Sequence, residues 1–140
     1  MSATCLFCKI LRGEIPSTRV FEDEHTLAFL DIGPIIKGHT LVIPKKHAES
    51  IAEIAEADLH HVMSVARRIA RAQLNGLRAD GVNIFQANGA AAGQVVPHMH
   101  VHVVPRYATD GHHWNWKAGK YDRPEEMKEC ADRLKSGLRE

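Results

Sequence analysis

The segment His98-Met99-His100-Val101-His102-Val103-Val104 alternates histidine with apolar residues. That two-residue period constrains the fold more than any other feature of the chain. Successive side chains on a β-strand point to opposite faces, so the pattern predicts a half-buried strand over Val96 to Val104. Met99, Val101 and Val103 turn into a core, while His98, His100 and His102 share the other face at intervals of about 6.6 Å. One histidine on a strand would imply nothing. Three in strict alternation are poor packing material and point to a site. The small-residue loop Asn88-Gly89-Ala90-Ala91-Ala92-Gly93 comes directly before them. Gly89 and Gly93 let the backbone approach a ligand, and successive N–H groups can form a concavity that holds an anion. The loop is neither a Walker loop nor a dinucleotide fingerprint, because no Gly-Lys-Ser/Thr follows it and a strand rather than a helix comes next.

The rest of the chain supplies a scaffold for that strand. Leu6 to Leu11 reads as a short helical turn ended by Gly13 and Pro16. Arg19 to Phe21, Thr26 to Asp31 and Thr40 to Ile43 are apolar segments punctuated by Gly33-Pro34, Gly38 and Pro44, the spacing of an antiparallel meander. Leu59, Val62, Met63, Ala66, Ile69, Ala70, Gln73, Leu74 and Leu77 then recur three and four apart, one face of a long amphipathic helix with Arg67, Arg68 and Arg71 opposite. Val82 to Gln86 is a further strand. Pro124 to Leu138 is a final helix, with its proline in the first turn and Glu125 and Glu126 at its positive end. The expectation is an α+β fold: a five-stranded antiparallel sheet with one long and one C-terminal helix against it. Residues 1–140 read as a single domain, since 140 residues show no repeat and no linker-like break in composition.

Charge narrows the partners. Eighteen basic residues against seventeen acidic leave a formal net charge of +1, which gives no reason to expect nucleic acid or an anionic membrane. No apolar run approaches the roughly 20 residues of a membrane helix. The first eleven residues lack the pattern of a secretory leader. Three cysteines, one left over after any pairing, suit a reducing compartment, and the expected location is cytoplasmic. Cys5 and Cys8 then read as thiols or as metal ligands. No organic cofactor is expected.

Neutral imidazole is a good nucleophile near neutral pH and forms a P–N bond that water can later break. Such a histidine needs one ring nitrogen bare while a carbonyl or side chain holds the proton on the other. Its neighbours can donate hydrogen bonds to phosphate oxygens as charge builds. The same three histidines could instead ligate a catalytic metal that activates water, and their spacing alone does not separate these readings.

The stretch Gly93 to Arg106, G-Q-V-V-P-H-M-H-V-H-V-V-P-R, resembles the signature of the histidine-triad (HIT) family. The likeness extends in the same order to C-L-F-C-K-I-L-R-G-E-I-P-S (Cys5 to Ser17), F-L-D-I-G-P (Phe29 to Pro34) and G-H-T-L-V-I-P-K-K-H (Gly38 to His47). It is most similar to the compact bacterial members and the Hint-type phosphoramidases. The resemblance implies that His100 is the nucleophile, forming a nucleotidyl-histidine on the α-phosphorus of a nucleotide conjugate, with His98 and His102 as its catalytic neighbours. It implies phosphate contacts from Asn88, Gly93, Gln94 and Val95, ribose hydroxyls held by Asp31, and a purine pocket walled by Phe7, Ile10, Ile15, Phe29 and Ile32. Bacterial members complete a zinc site with the histidine after P-K-K and the first of the triad, which implies Cys5, Cys8, His47 and His98 as ligands of a structural zinc. A homodimer is implied too, through the long helix (Asp58 to Asn75) and the strand Val82 to Gln86.

The chain departs from the Hint pattern twice. Hint-type enzymes carry a serine where Val95 stands, whose hydroxyl assists the leaving group, and an amide residue where Ala87 stands, although Asn88 lies beside it. Substrate preference is therefore open between phosphoramidates, dinucleoside polyphosphates and other nucleotide conjugates. A non-catalytic nucleotide-binding adaptor is the alternative that the loss at Val95 favours, and the intact His100 opposes it.

Overall fold

The computed structural model describes residues 2–139. Its elements in chain order are α1 (Leu6–Leu11), β1 (Arg19–Glu22), β2 (Thr26–Leu30), β3 (Thr40–Pro44), α2 (Glu56–Gly76), β4 (Gly81–Phe85), β5 (Val101–Arg106) and α3 (Pro124–Gly137). The strands form one antiparallel sheet in the order β1-β2-β3-β5-β4. The α+β, five-stranded expectation holds.

Each face of the sheet carries its own core. On one, α2 lays Val62, Val65, Ala66 and Ile69 onto Ala28, Val42, Met99, Val101 and Val103. On the other, Cys5, Phe7, Cys8 and Ile10 pack against Leu27, Phe29, Leu41 and Ile43. Short α1 survives because Cys5 caps it, its Sγ accepting the N–H of Cys8 at 3.4 Å. Gly13 ends it with φ +79°, a left-handed turn that suits glycine. Glu56 and Asp58 sit in the first turn of α2, favourable at its positive end.

Gln73 ties α2 to the sheet. Its Nε2 donates to the carbonyls of Gly38 (3.1 Å) and Val103 (2.9 Å), bonds worth making because the side chain is buried. Gly38 has φ +101°, and a Cβ on it would lie 2.5 Å from Leu77 Cδ1. Only glycine fits that approach.

Three expectations need correction. The strand read as Val96 to Val104 begins at Val101 instead. Pro97 has no N–H to donate, the His98 N–H turns back to the Val96 carbonyl at 2.8 Å, and the Met99 N–H goes to Ala48 at 2.7 Å. The ladder therefore cannot start earlier, and His98 and His100 stand on an irregular lead-in. Met63, Leu74 and Leu77, counted in the apolar face of α2, are about half exposed; that stripe is wider than the sheet beneath it. Finally, α3 does not lie against the sheet. Pro124 and the Arg123/Glu126 capping box start it as expected, but it buries no residue and joins neither core.

Candidate functional site

The lead-in 96–100 divides the histidines between two environments. His98 is fully buried and donates from Nε2 to the Pro44 carbonyl at 2.9 Å. That leaves Nδ1 bare, 3.4 Å from Cys5 Sγ, 3.6 Å from Cys8 Sγ and 3.2 Å from His47 Nδ1, with Cys8 Sγ and His47 Nδ1 3.4 Å apart. Four bare ligand atoms turned toward one point fit zinc. Tetrahedral bonds of about 2.3 Å to sulfur and about 2.05 Å to nitrogen would separate two nitrogens by about 3.3 Å and a sulfur from a nitrogen by about 3.5 Å. The Pro44 carbonyl on the far nitrogen of His98 is the usual kind of partner for a ligating imidazole. Burial lowers the His98 pKa to about 4 and raises that of the Cys8 thiol.

His100 and His102 face an open cleft of about 320 Å³ on the same side of the sheet. Phe7 stands between the two groups, edge-on to His98 (5.9 Å) and to His100 (5.1 Å). His100 donates from Nδ1 to the His98 carbonyl at 2.7 Å, so its Nε2 keeps the lone pair. Burial keeps the ring neutral by lowering its pKa.

His102 is held by a residue that sequence reasoning missed. The Ile35 N–H donates to His39 Nδ1 at 3.1 Å, which places the His39 proton on Nε2. That Nε2–H faces His102 Nδ1 at 2.9 Å, so His102 carries its proton on Nε2. Two neutral rings result, each fixed in one tautomer. Burial lowers both pKa values, His102 to about 4 with help from neighbouring His100 and His39, while Asp31 opposes the shift at His39. Asp31, His39 and His102 lie close enough to suggest a second metal site, but the Ile35 N–H demands a bare Nδ1 on His39 and so keeps the proton on the nitrogen a metal would need. The signal for His39 was present in G-H-T, where it falls two residues from Leu41 on the same face. Phe85, also missed, stacks on His102 at 4.2 Å across the β4–β5 pairing.

The cleft is lined by Phe7, Ile10, Ile15, Phe29, Asp31, Leu41, Gly93, Val95, Val96, His100 and His102, among others. Phe7, Ile10 and Phe29 are buried wall residues and Ile15 is half-buried. Ile32 also lines the cleft and is fully exposed, at its rim. Asp31 takes the Gly33 N–H on Oδ1 at 2.8 Å and leaves Oδ2 3.8 Å from His39.

Neither the Asn88 nor the Gln94 side chain lines the cleft. Asn88 Oδ1 accepts the Ile51 N–H (2.7 Å) and a Gln86 amide proton (2.8 Å). Gln94 accepts the Gly89 N–H (2.7 Å) and donates to the carbonyls of Glu49 (2.6 Å) and Val96 (3.0 Å). Both amides brace the loop backbone. Gly93, with φ +93°, gives that backbone its turn.

The sheet thus carries an imidazole-lined cleft beside a glycine loop. The HIT domain family model matches residues 12–109, and the chain belongs to that family. It is 43% identical over 136 residues to the protein hit of Bacillus subtilis, covering 96% of this chain and 94% of that one. An adenosine 5′-monophosphoramidase of Saccharomyces cerevisiae is 41% identical over 106 residues, 76% of this chain and 65% of its own. An adenylylsulfatase of Arabidopsis thaliana is 40% identical over 106 residues, 76% of this chain and 54% of its own. Among solved structures, a Streptococcus mutans protein superposes with a TM-score of 0.91 at 40% identity, covering 99% of this chain and 87% of that one. A zinc-bound histidine triad protein from Mycobacterium smegmatis gives 0.76 at 38%, covering 96% and 97%. Some relatives are thus nucleotide hydrolases, and one binds zinc.

Proposed function

We propose that this protein is a nucleotide hydrolase or transferase that works through a nucleotidyl-histidine intermediate on His100. The observation that carries the reading is the Nδ1–H of His100 on the His98 carbonyl, which leaves a neutral ring with a bare Nε2 in the cleft. A purine nucleoside would enter the apolar wall of Phe7, Ile10, Ile15 and Phe29, with Ile32 at the rim and its ribose on Asp31. The lone pair of Nε2 attacks the α-phosphorus, and the bond to the leaving group breaks with its electron pair. The Nε2–H of His102 and the backbone N–H groups of Val95 and Val96 stabilise the charge on the phosphate oxygens. Water then attacks phosphorus and gives up a proton to solvent, the P–N bond breaks, and Nε2 regains its lone pair.

Cys5, Cys8, His47 and His98 would hold a structural zinc, whose chemistry is to join α1 to the catalytic lead-in. A second copy of the chain is the proposed partner, across α2 and β4. The half-exposed Met63 and Leu74 of α2 and Ile84 of the edge strand β4 support that surface. Cytoplasmic residence is proposed from the free thiols of Cys5 and Cys8; among the described residues no helix is long and apolar enough to cross a membrane.

The test is intact-protein mass spectrometry after brief rapid-quench incubation with adenosine 5′-phosphoramidate and, separately, adenosine 5′-phosphosulfate. An adenylyl mass increase in wild type and none in His100→Ala supports the reading. Binding without adduct or turnover supports the adaptor instead.

A further inference from the structure

His102 has to aim its Nε2–H, and one in-plane hydrogen bond is a loose way to do so. Its Nδ1 accepts from His39 at 2.9 Å, which fixes the tautomer. The χ2 torsion of histidine is broad, however, and a hydrogen bond weakens steeply only when bent below about 120°. With that bond alone the ring can rock about Cβ–Cγ and swing its far nitrogen out of line.

Phe85 covers the face of the ring. β4 and β5 pair with Phe85 directly opposite His102, so both side chains leave the sheet on the same side. Their rings stack with centroids 4.2 Å apart and planes 7° from parallel. His39 approaches from the β3 side of β5 and Phe85 from the β4 side, so the two supports restrain different motions of one ring. Core packing does not account for Phe85, which among the described residues joins neither apolar core. Its position is fixed from the chain beyond β5 instead. Trp114 meets it edge-on, with centroids 5.1 Å apart and planes at 72°. The Trp114 indole N–H donates to Asn83 Oδ1, which also accepts from Arg106 Nη1 at 2.7 Å. Arg106 in turn donates to both oxygens of Asp110, at 2.8 and 3.1 Å, closing the turn that leads from β5 toward Trp114.

We infer that Phe85 is a positioning residue: its ring holds the plane of His102, so that the Nε2–H points at the phosphate, while His39 sets which nitrogen carries the proton. The inference rests on the His100 mechanism above. Phe85 does not line the cleft. It supplies no proton and acts through His102 alone, so the bonds that form and break are those of that mechanism.

The experiment follows single-turnover adduct formation by rapid quench with adenosine 5′-phosphoramidate and adenosine 5′-phosphosulfate. Both the maximal rate and the substrate concentration giving half of it are read. Wild type is compared with Phe85→Leu, which keeps apolar bulk without a flat face, and with Phe85→Tyr, which keeps the face. His102→Ala and the double variant Phe85→Leu/His102→Ala complete a cycle. A misplacement on the order of 1 Å costs about a hundredfold in such steps, and a loosened ring should cost less. Phe85→Leu is expected to lower the maximal rate about tenfold, with the half-saturating concentration within about threefold and Tm within a few degrees. Phe85→Tyr should stay within about threefold of wild type. In the His102→Ala background Phe85→Leu should change the rate by less than about twofold, because the group it orients is gone. An unchanged rate in Phe85→Leu, an equal loss in Phe85→Tyr, the same loss without His102, or a fall in Tm on the order of 10 °C assigns Phe85 to packing. Each of those overturns the inference while the adduct on His100 still stands. Absence of adduct and turnover in wild type with both substrates overturns the mechanism beneath it.

Discussion

Two histidine-rich groups stand back to back in this protein, two residues apart in sequence, and they are built for opposite ends. Around His98 the carbonyl of Pro44 takes the Nε2 proton and every bare atom turns inward to cysteines and His47. Around His100 the carbonyl of His98 takes the Nδ1 proton and the bare nitrogen turns to an open cleft. The residue type is the same and so is the device, a backbone carbonyl that fixes a tautomer. What differs is which nitrogen is held and whether the other meets protein or solvent. The first group has the geometry of a metal site, the second that of the nucleophile proposed above.

Removing one group at a time should separate chemistry from stability. His100→Asn should cost at least about a thousandfold in kcat and abolish the adenylyl adduct, while thermal unfolding stays within a few degrees of wild type. A residual rate within tenfold of wild type would mean that another group attacks. Cys8→Ser should do the reverse. Loss of the proposed Cys2His2 site should lower stability by several kcal/mol, a fall on the order of 10 °C or more in Tm, and elemental analysis should show stoichiometric zinc in wild type and none in the variant. Adduct formation per folded molecule, measured at low temperature, should stay within about tenfold, because outer partners of a site typically tune it by about that much. If chelation stops adduct formation in protein that is still folded, the division between the groups fails.

A smaller effect should come from the support of His102. His39→Ala frees the His102 tautomer and should lower kcat about tenfold to a hundredfold with little change in KM. His39→Gln keeps an N–H donor at that position and should recover part of the loss. Equal losses in the two variants would reduce His39 to packing. The smallest effect is on acid stability. His39 and His102 have pKa values pushed below the ordinary 6.5 by burial, His102 to about 4. The unfolded chain therefore binds protons there that the folded chain refuses as pH falls below about 6.5. Stability carried by these rings is intact at neutral pH, declines below 6.5 and levels off near the folded pKa. Urea unfolding of zinc-saturated protein at pH 7, 6 and 5 should show that decline, with a shallower slope in His39→Gln. Parallel slopes would remove the two rings from the account.

The sequence made much of this legible where period and spacing carry physics. The alternation about Val101 and Val103 placed the core face of the central strand, and α1 begins and ends where it was expected because Cys5 caps it and Gly13 turns it. The cysteine pair suggested a metal, and resemblance to a family supplied His47 and His98. Side-chain bonding between distant segments was not legible. Nothing local says that Gln94 will reach Glu49, or that Asn88 will take the Ile51 N–H, so both looked available to a phosphate. His39 was hidden for the same reason, since its role depends on His102, 63 residues away. Periodicity found the apolar stripe of α2 but not how much of it the sheet covers, and it found α3 without saying what that helix touches.

The contact between Cys5 and His98 spans 93 residues, and it bears on how the protein is made. During synthesis the two cysteines appear first and the last ligand only after about two thirds of the chain has followed. Throughout that interval Cys5 and Cys8 are open thiols, exposed to oxidants and to any thiophilic metal that arrives early. The Pro44 carbonyl that fixes the His98 tautomer also lies between Cys5 and His98 in sequence, so it is already made when His98 appears.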